Sequence, residues 1–155
     1  MADLQRTLLL VKPDGVQRQL VGRVITRFEE RGLKIVGLKL VHVDRALAEQ
    51  HYAVHSDKPF FRGLVDFITS GPLVAAALEG PNAIAIVRAM NGATRPHEAA
   101  PGSIRGDFAV ETAQNLVHAS DSPENAEAEL ALWFSPGELL AYEREVDRWV
   151  LAPAE

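Results

Sequence analysis

His118 closes a short apolar run and opens onto a hydroxyl and a carboxylate: the stretch reads Asn115-Leu116-Val117-His118-Ala119-Ser120-Asp121. A helix is predicted to begin directly afterwards, so the imidazole stands at a strand-to-helix junction, where a side chain can be aimed and still reach solvent. Histidine can act as a nucleophile, which makes a phosphohistidine intermediate a chemical option. A lone histidine is more often an ordinary surface or core residue, so the rest of the chain must supply the other parts of such a site. Phosphoryl transfer rests mostly on positioning and on stabilising negative charge, so cations should converge on the nucleophile. Lys12, Arg88 and Arg105 are the candidates, each near a predicted element end or loop. Singly, each could be an unrelated surface cation. The chain has neither Gly-x-x-x-x-Gly-Lys-Ser/Thr nor Gly-x-Gly-x-x-Gly, so side chains must hold any phosphate.

The elements that must position these residues can be read in order. Arg6–Val11 is a short apolar run ended by Lys12-Pro13-Asp14-Gly15 and reads as a buried strand. Proline cannot continue a central strand, which puts Lys12 at a strand end. Leu20, Val21, Val24, Ile25 and Phe28 recur at helical spacing, with Gly32 as the stop. Leu33–Val43 reads as a long second strand, and Asp44 as the N-cap of a helix reaching Tyr52. From His55 a further helix is predicted to Ile68, with two apolar stripes. Phe61, Val65 and Ile68 form one; Phe60, Leu64 and Phe67 form the other. Interspersed Lys58, Arg62 and Asp66 favour one face in the core and one lining a groove. Between Gly71-Pro72 and Gly80-Pro81, Leu73–Leu78 favours a strand. Ala83–Met90 fits strand or helix, with Pro81 a candidate for a first helical turn.

Residues 92–114 hold Gly92, Pro96, Pro101, Gly102 and Gly106 with little periodicity and read as a long loop carrying Thr94, Arg95 and Arg105. Leu116-Val117-His118 is a last short strand. Ser122-Pro123 then reads as N-cap and first helical residue, and Ala126, Leu130 and Trp133 make the inward stripe. Glu129 falls on that same side. A carboxylate there is costly unless paired. Either it sits at the edge of the stripe and reaches water, or it points at His118. Pro136-Gly137 breaks the chain, and Tyr142, Val146 and Trp149 suggest a short amphipathic terminal helix.

Stripped of insertions the order is βαββαβ, the ferredoxin-like split unit. The expected fold is α+β: a four-stranded antiparallel sheet covered by helices, with the long loop at 92–114 and a C-terminal extension. One domain is expected over 1–155, its core at about 5–134 and its extension at 135–155.

Asn115-x-x-His118-x-Ser120-Asp121, with Lys12-Pro13-Asp14 and Gly92-Ala93-Thr94 before it, resembles the nucleoside diphosphate kinase family from about Arg6 to Phe134. One residue departs from the family pattern: Ala119 stands where glycine usually follows the histidine, a small-for-small change tolerable if φ there is negative. The resemblance implies a kinase that moves the γ-phosphate of a nucleoside triphosphate, typically ATP, to a nucleoside diphosphate by a ping-pong route through His118, at Nδ1. Such an enzyme maintains nucleoside triphosphate pools. It also implies a helix at 83–90, Lys12, Arg88 and Arg105 as phosphate binders with the Thr94 hydroxyl, and Asn115 on the ribose. Lys12 is also a candidate for the 3′ position. Tyr52 and Ser120 support the nucleophile from behind, and Glu129 fixes its tautomer with Ser120 holding the carboxylate. Phe60 is expected to stack on the base with Leu64 beside it, although a helix phenylalanine is more commonly plain core. Thr112 has no assigned role. His55 is either a phosphate helper or a surface residue, and His42, His51 and His97 fit no usable pattern. Mg²⁺ is expected to arrive on the nucleotide phosphates, with no metal cage in the protein; Asp14 and Asp121 could touch its waters or could serve capping and turn roles. The family further implies a homo-oligomer, a hexamer favoured over a tetramer, with the 92–114 loop wrapping the active site and packing on neighbouring subunits.

Bulk properties agree. The chain has 155 residues, 47% hydrophobic and 24% charged, and no cysteine, so disulfides, thiolate metal sites and cysteine nucleophiles are excluded. Residues 1–120 carry 14 Lys/Arg against 12 Asp/Glu, and residues 121–155 carry 2 against 9. The slightly basic part holds the motifs, which suits a phosphate-bearing ligand. The net charge of −5 and the lack of an aromatic RNA-binding strand motif argue against a nucleic-acid partner. No apolar run is long enough for a membrane span, and Met1-Ala2-Asp3-Leu4 lacks a leader pattern, so cytoplasmic residence is expected. The competing function class is a non-catalytic nucleotide-binding regulatory module, which has no need of the nucleophile.

Overall fold

The structure is a computed structural model and describes residues 3–153. Met1 and Ala2, part of the stretch read above for a leader, and Ala154 and Glu155 of the extension lie outside the described residues. Four strands, β1 (Leu4–Val11), β2 (Lys34–Val41), β3 (Leu73–Pro81) and β4 (Val117–Ala119), form one antiparallel sheet in the order β2-β3-β1-β4. The two most apolar strands, β1 and β3, are central, as burial on both faces requires. The expected α+β, ferredoxin-like arrangement is the one observed.

Alternation along β1 splits the core in two. Leu9 and Val11 face one side, with Val24 and Phe28 of α2 (Val21–Arg31) and Ala83 and Val87 of α5 (Ala83–Asn91). Leu8 and Leu10 face the other. There they meet α3 (Arg45–His51), α4 (Phe61–Ile68) and α7 (Pro123–Trp133). His118 pairs with Leu10 across β1–β4 and therefore points to this second side. Three helices consequently converge around it.

The predicted ends hold where local chemistry dictates them. Gly32 closes α2 at φ 104°, a left-handed conformation natural to glycine. The Asp44 carboxylate accepts from the Leu47 N–H at 2.8 Å, and the Ser122 hydroxyl accepts from the Asn125 N–H at 3.1 Å. Ala83–Asn91 is helix; Pro81 ends β3 rather than entering that helix, and Asn82 makes the corner at φ 56°.

Four expectations need correction. Pro13–Gln17, read above only as the end of the first strand, is a short helix, α1, with proline at its start. The stretch 92–114 is not structureless: it contains α6 (Ile104–Phe108) and 3₁₀ turns at 96–98 and 112–114. Ser103 caps α6 by accepting from the Gly106 N–H at 3.1 Å, and five residues are too few to show a helical period. Leu116 does not belong to β4; it turns the chain at φ 74° just before it. The terminal helix α8 (Asp147–Val150) is a single turn that excludes Tyr142. The extension runs beside the edge strand instead, with Leu140 N–H donating to the Val36 carbonyl at 2.8 Å and the Tyr142 hydroxyl to that of Ile35 at 2.5 Å. Those bonds satisfy edge groups that would otherwise be open.

Candidate active site

A cavity of about 850 Å³ opens between α3, α4, the end of α5, the 112–115 turn and α7, with His118 at its floor. Ten of the eleven sequence-predicted site residues line it; the eleventh, Ser120, lies just behind the wall, buried.

At the floor, His118 Nε2 is 3.0 Å from Glu129 Oε2, and the Ser120 hydroxyl donates to Glu129 Oε1 at 2.6 Å. The helical spacing of α7 turns Glu129 inward toward β4, so of its two sequence readings the structure adopts the inward one. Burial alone would raise this carboxyl, but the hydrogen bond and charge of His118, with the Ser120 bond, outweigh it and hold Glu129 below the ordinary carboxylate range. An ionised carboxylate only accepts, so His118 Nε2 must donate and Nδ1 keeps its lone pair. Ala119 pairs with Leu9 inside β4 and does not have a positive φ, so its methyl group replaces a glycine hydrogen without backbone strain.

The cationic wall is built from three elements. Lys12 follows β1, and its ammonium donates to Asn115 Oδ1. Burial, with a smaller push from Arg105 and against the pull of Asp14, lowers its pKa to about 8. Asn115 is buried and its Nδ2 donates to the Thr94 carbonyl at 3.0 Å, so its amide already links Lys12 to the loop. Arg105 is buried as well. Its guanidinium donates to the carbonyls of Asn115 (3.1 Å), Gly92 (2.9 Å) and Val117 (2.5 Å), which uses three of the five N–H groups an arginine carries. Burial and the neighbouring Arg88 lower its pKa to about 10. Arg88, one turn before the end of α5, is exposed to the cavity.

The mouth is apolar. Phe61, Val65 and Ile68 pack into the core, whereas Phe60, Leu64 and Phe67 border the cavity, as the two stripes require. Phe60 is 51% exposed and so is not core. His55 leans on it, ring centroids 5.3 Å apart, at the mouth rather than on the cationic wall. Thr112 lies across the same opening.

Two carboxylates divide. Asp14 Oδ2 accepts from the Leu116 N–H at 3.0 Å, which gives it a turn role. Asp121 borders the cavity and accepts from Asn125 Nδ2 at 2.6 Å. His51, His118 and Glu129 come close enough to suggest a metal centre. That donor set does not fit Mg²⁺, which demands oxygen ligands, and both facing imidazole nitrogens are already hydrogen-bonded.

Sequence reasoning missed His51. Its side chain is 1% exposed, and its ring meets that of His118 edge-on, centroids 4.6 Å apart at 80°. Trp133 Nε1 donates to its Nδ1 at 3.1 Å. Burial, then the neighbouring His118, pushes its pKa down to about 3. Tyr52, the next residue, meets the His51 ring at 4.7 Å; burial and Glu129 push its hydroxyl up to about 12. The inward position of Trp133 was legible in the helix, but its partner was not.

The model of the family described as nucleoside diphosphate kinase matches residues 5–139. A nucleoside diphosphate kinase of Thermosynechococcus vestitus is 58% identical over 147 residues, which is 95% of this chain and 98% of that protein. One from Archaeoglobus fulgidus is 56% identical over 95% of this chain and 97% of its own length. Among solved structures, the nucleoside diphosphate kinase of Halobacterium salinarum in complex with CDP is similar with a TM-score of 0.93 and 49% identity, covering 96% of this chain and 99% of that one. No described helix is long and apolar enough to cross a membrane. With a family match across most of its length and these sequence and structural likenesses, the chain belongs to the nucleoside diphosphate kinase family, a family of enzymes.

Proposed function

We propose that this chain moves the γ-phosphate of a nucleoside triphosphate to a nucleoside diphosphate through a phosphate carried on His118. The observation that carries this reading is the Glu129–His118 bond at 3.0 Å, which leaves Nδ1 with its lone pair beside an open, cation-walled cavity. The Nδ1 lone pair attacks the γ-phosphorus, and the β–γ bridging oxygen leaves with the bonding pair as the diphosphate. A second diphosphate enters the same cavity, its terminal oxygen attacks the phosphorus, and the P–N electron pair returns to Nδ1. One cavity serving both halves requires ping-pong kinetics.

Each side chain has a part. Arg88 and Lys12 face the transferred charge, and Arg105 adds its charge while holding the carbonyls of the turn. The Thr94 hydroxyl binds phosphate. Asn115 and Lys12 bind the sugar hydroxyls, Lys12 toward the 3′ position. Phe60 and Leu64 offer a face to the base, and because every base has a π-face, selectivity among bases is weak. Tyr52, Ser120 and Glu129 hold the nucleophile. Mg²⁺ would enter as part of the nucleotide substrate and neutralise phosphate charge, and Asp121 on the cavity wall would hold its waters.

Supply of nucleoside triphosphates in the cytoplasm belongs to the same reading. So does a homo-oligomer, with a hexamer favoured over a tetramer; Leu38 (53% exposed) and Leu40 (67% exposed) on edge strand β2 support a self-association surface. Initial rates with ATP and varied GDP test the mechanism. Parallel double-reciprocal lines, lost with EDTA and lost in His118→Ala, are expected; intersecting lines contradict it. Binding of both nucleotides without turnover would identify a non-catalytic module. Light scattering gives the subunit number.

A further inference from the structure

His51 occupies a place that its own element does not explain. It is the last residue of α3, buried among aromatic rings and 3.9 Å through Nδ1 from the Glu129 oxygen that serves His118. The titratable and charged groups facing it are Tyr52 on its own side, His118 from β4, Glu129 from α7 and Lys12 from the end of β1.

We propose that His51 is a positioning residue for the nucleophile: a buried imidazole whose Nδ1 is kept bare by the indole N–H of Trp133 and whose ring packs edge-on against His118, so that Glu129 serves His118 alone. This rests on the phosphohistidine reading above.

The geometry carries it in three steps. An indole nitrogen can only donate, so a ring facing it at 3.1 Å must present a bare nitrogen. The one proton of a neutral ring therefore sits on Nε2 of His51, and a second proton on Nδ1 would set two N–H groups against each other. Next, a charged His51 would lie against His118 and within ion-pair range of Glu129 Oε2. It would divert the carboxylate that fixes the His118 tautomer and would repel the cation formed whenever His118 is protonated. Last, the hydrogen bond to Glu129 fixes one atom of the His118 ring but not the rotation of its plane. The edge-on contact at 80° supplies that second constraint and keeps Nδ1 turned to the cavity.

Trp133→Phe keeps most of the packing and removes only the N–H. Burial and His118 still keep the ring neutral, but its one proton can then move from Nε2, which has no acceptor, to Nδ1 and point at Glu129 Oε2, 3.9 Å away. The test follows the rate of His118 phosphorylation by ATP·Mg²⁺ against pH for the wild type, Trp133→Phe, His51→Gln and the double variant, each checked for native circular dichroism. In Trp133→Phe phosphorylation should be slower by roughly tenfold at every pH, as when an orienting partner of a functional histidine is lost, with the acid limb unmoved. His51→Gln should be slower as well, and the double variant should be no slower than His51→Gln, because the indole N–H acts only through the His51 ring. A wild-type rate in Trp133→Phe, or a double variant slower than His51→Gln, overturns the proposal. A second measurement needs no variant: C2-hydrogen exchange of each histidine by mass spectrometry. Wild-type His51 should show no titration above about pH 5, whereas titration near its ordinary value of about 6.5 overturns the proposal. Failure of the wild type to be phosphorylated at all would overturn the phosphohistidine reading along with it; normal phosphorylation of the wild type together with a wild-type rate in Trp133→Phe overturns this inference alone.

Discussion

The Leu116 N–H donates to the Asp14 carboxylate at 3.0 Å, tying together two segments 102 residues apart. The Leu116 carbonyl in turn accepts from the Lys12 N–H at 2.8 Å. Leu116 is held at φ 74°, a conformation that costs a non-glycine residue about 1–3 kcal/mol and persists only when its surroundings fix it. Asp14 is the main side-chain component of that fixing, and the turn it secures leads directly into His118. Asp14→Ala should lower stability by about 1–3 kcal/mol, since a buried N–H loses its acceptor. Turnover should fall more than nucleotide affinity, and Asp14→Asn, which retains an acceptor, should recover most of both. Urea unfolding and steady-state kinetics check this; an unchanged Asp14→Ala would mean that the turn holds itself.

Glu129→Gln keeps size and burial but can present an N–H to His118 Nε2, which favours the wrong tautomer. Turnover should drop roughly tenfold to a hundredfold, as when orienting partners of other functional histidines are removed. KM should change little, because Glu129 touches His118 and Ser120 rather than the cationic wall. A raised KM with normal turnover would put Glu129 in substrate binding instead.

Lys12 gives a pH signature. With its pKa lowered to about 8 by burial, it carries charge below that value and loses it above. The profile of kcat/KM, which reports the free enzyme, should therefore decline as pH rises through about 8. Lys12→Arg should abolish that basic limb, since arginine stays charged. A limb that persists in Lys12→Arg belongs to another group.

Stability should depend on acid through His51. Its folded pKa of about 3 lies below its unfolded value of 6.5, so the unfolded chain binds the extra proton first. No stability is lost above the unfolded value; below it, stability falls continuously toward the folded one. The loss amounts to roughly 2 kcal/mol between about pH 6.5 and pH 5. Glu129, whose folded pKa is depressed, adds a loss of the same sign at lower pH. In His51→Gln the slope over that first interval should flatten, as read by urea midpoints; an unchanged slope would show that His51 titrates normally.

Phe60→Ala should weaken nucleotide binding without unfolding the chain, because the ring is 51% exposed. A stacking contribution of about 1–3 kcal/mol corresponds to a KM increase of roughly fivefold to a hundredfold or more. Adenine, guanine and pyrimidine nucleotides should all be affected. Loss for one base only would replace stacking with specific recognition.

These sites were unequally legible in the sequence. The groove face of α4 and the inward carboxylate of α7 were readable because both helices exceed two turns, and a 3.6-residue period separates Phe60 from Phe61 and aligns Glu129 with Leu130 and Trp133. His51 was not, because its meaning comes from Trp133, 82 residues away, and from a ring stack that no local pattern encodes. The committed state of Asn115 and Arg105 was equally hidden. Their types suggested substrate contacts, yet both already tie the 92–95 and 115–117 segments together. At the C-terminus, the spacing of Tyr142, Val146 and Trp149 suggested a helix, but an open sheet edge competed for the same backbone. Arg144 completes that attachment by donating to the Gly32 carbonyl at 3.0 Å.

The central claim is that His118 carries the phosphate between two nucleotides. Its most direct test is the intact mass of the protein mixed with ATP and Mg²⁺, before and after addition of GDP, alongside His118→Ala. One acid-labile phosphate per chain, discharged by GDP and absent from the variant, is the predicted result. A wild-type chain that stays unmodified while folded, or a phosphate that persists in His118→Ala, would contradict it.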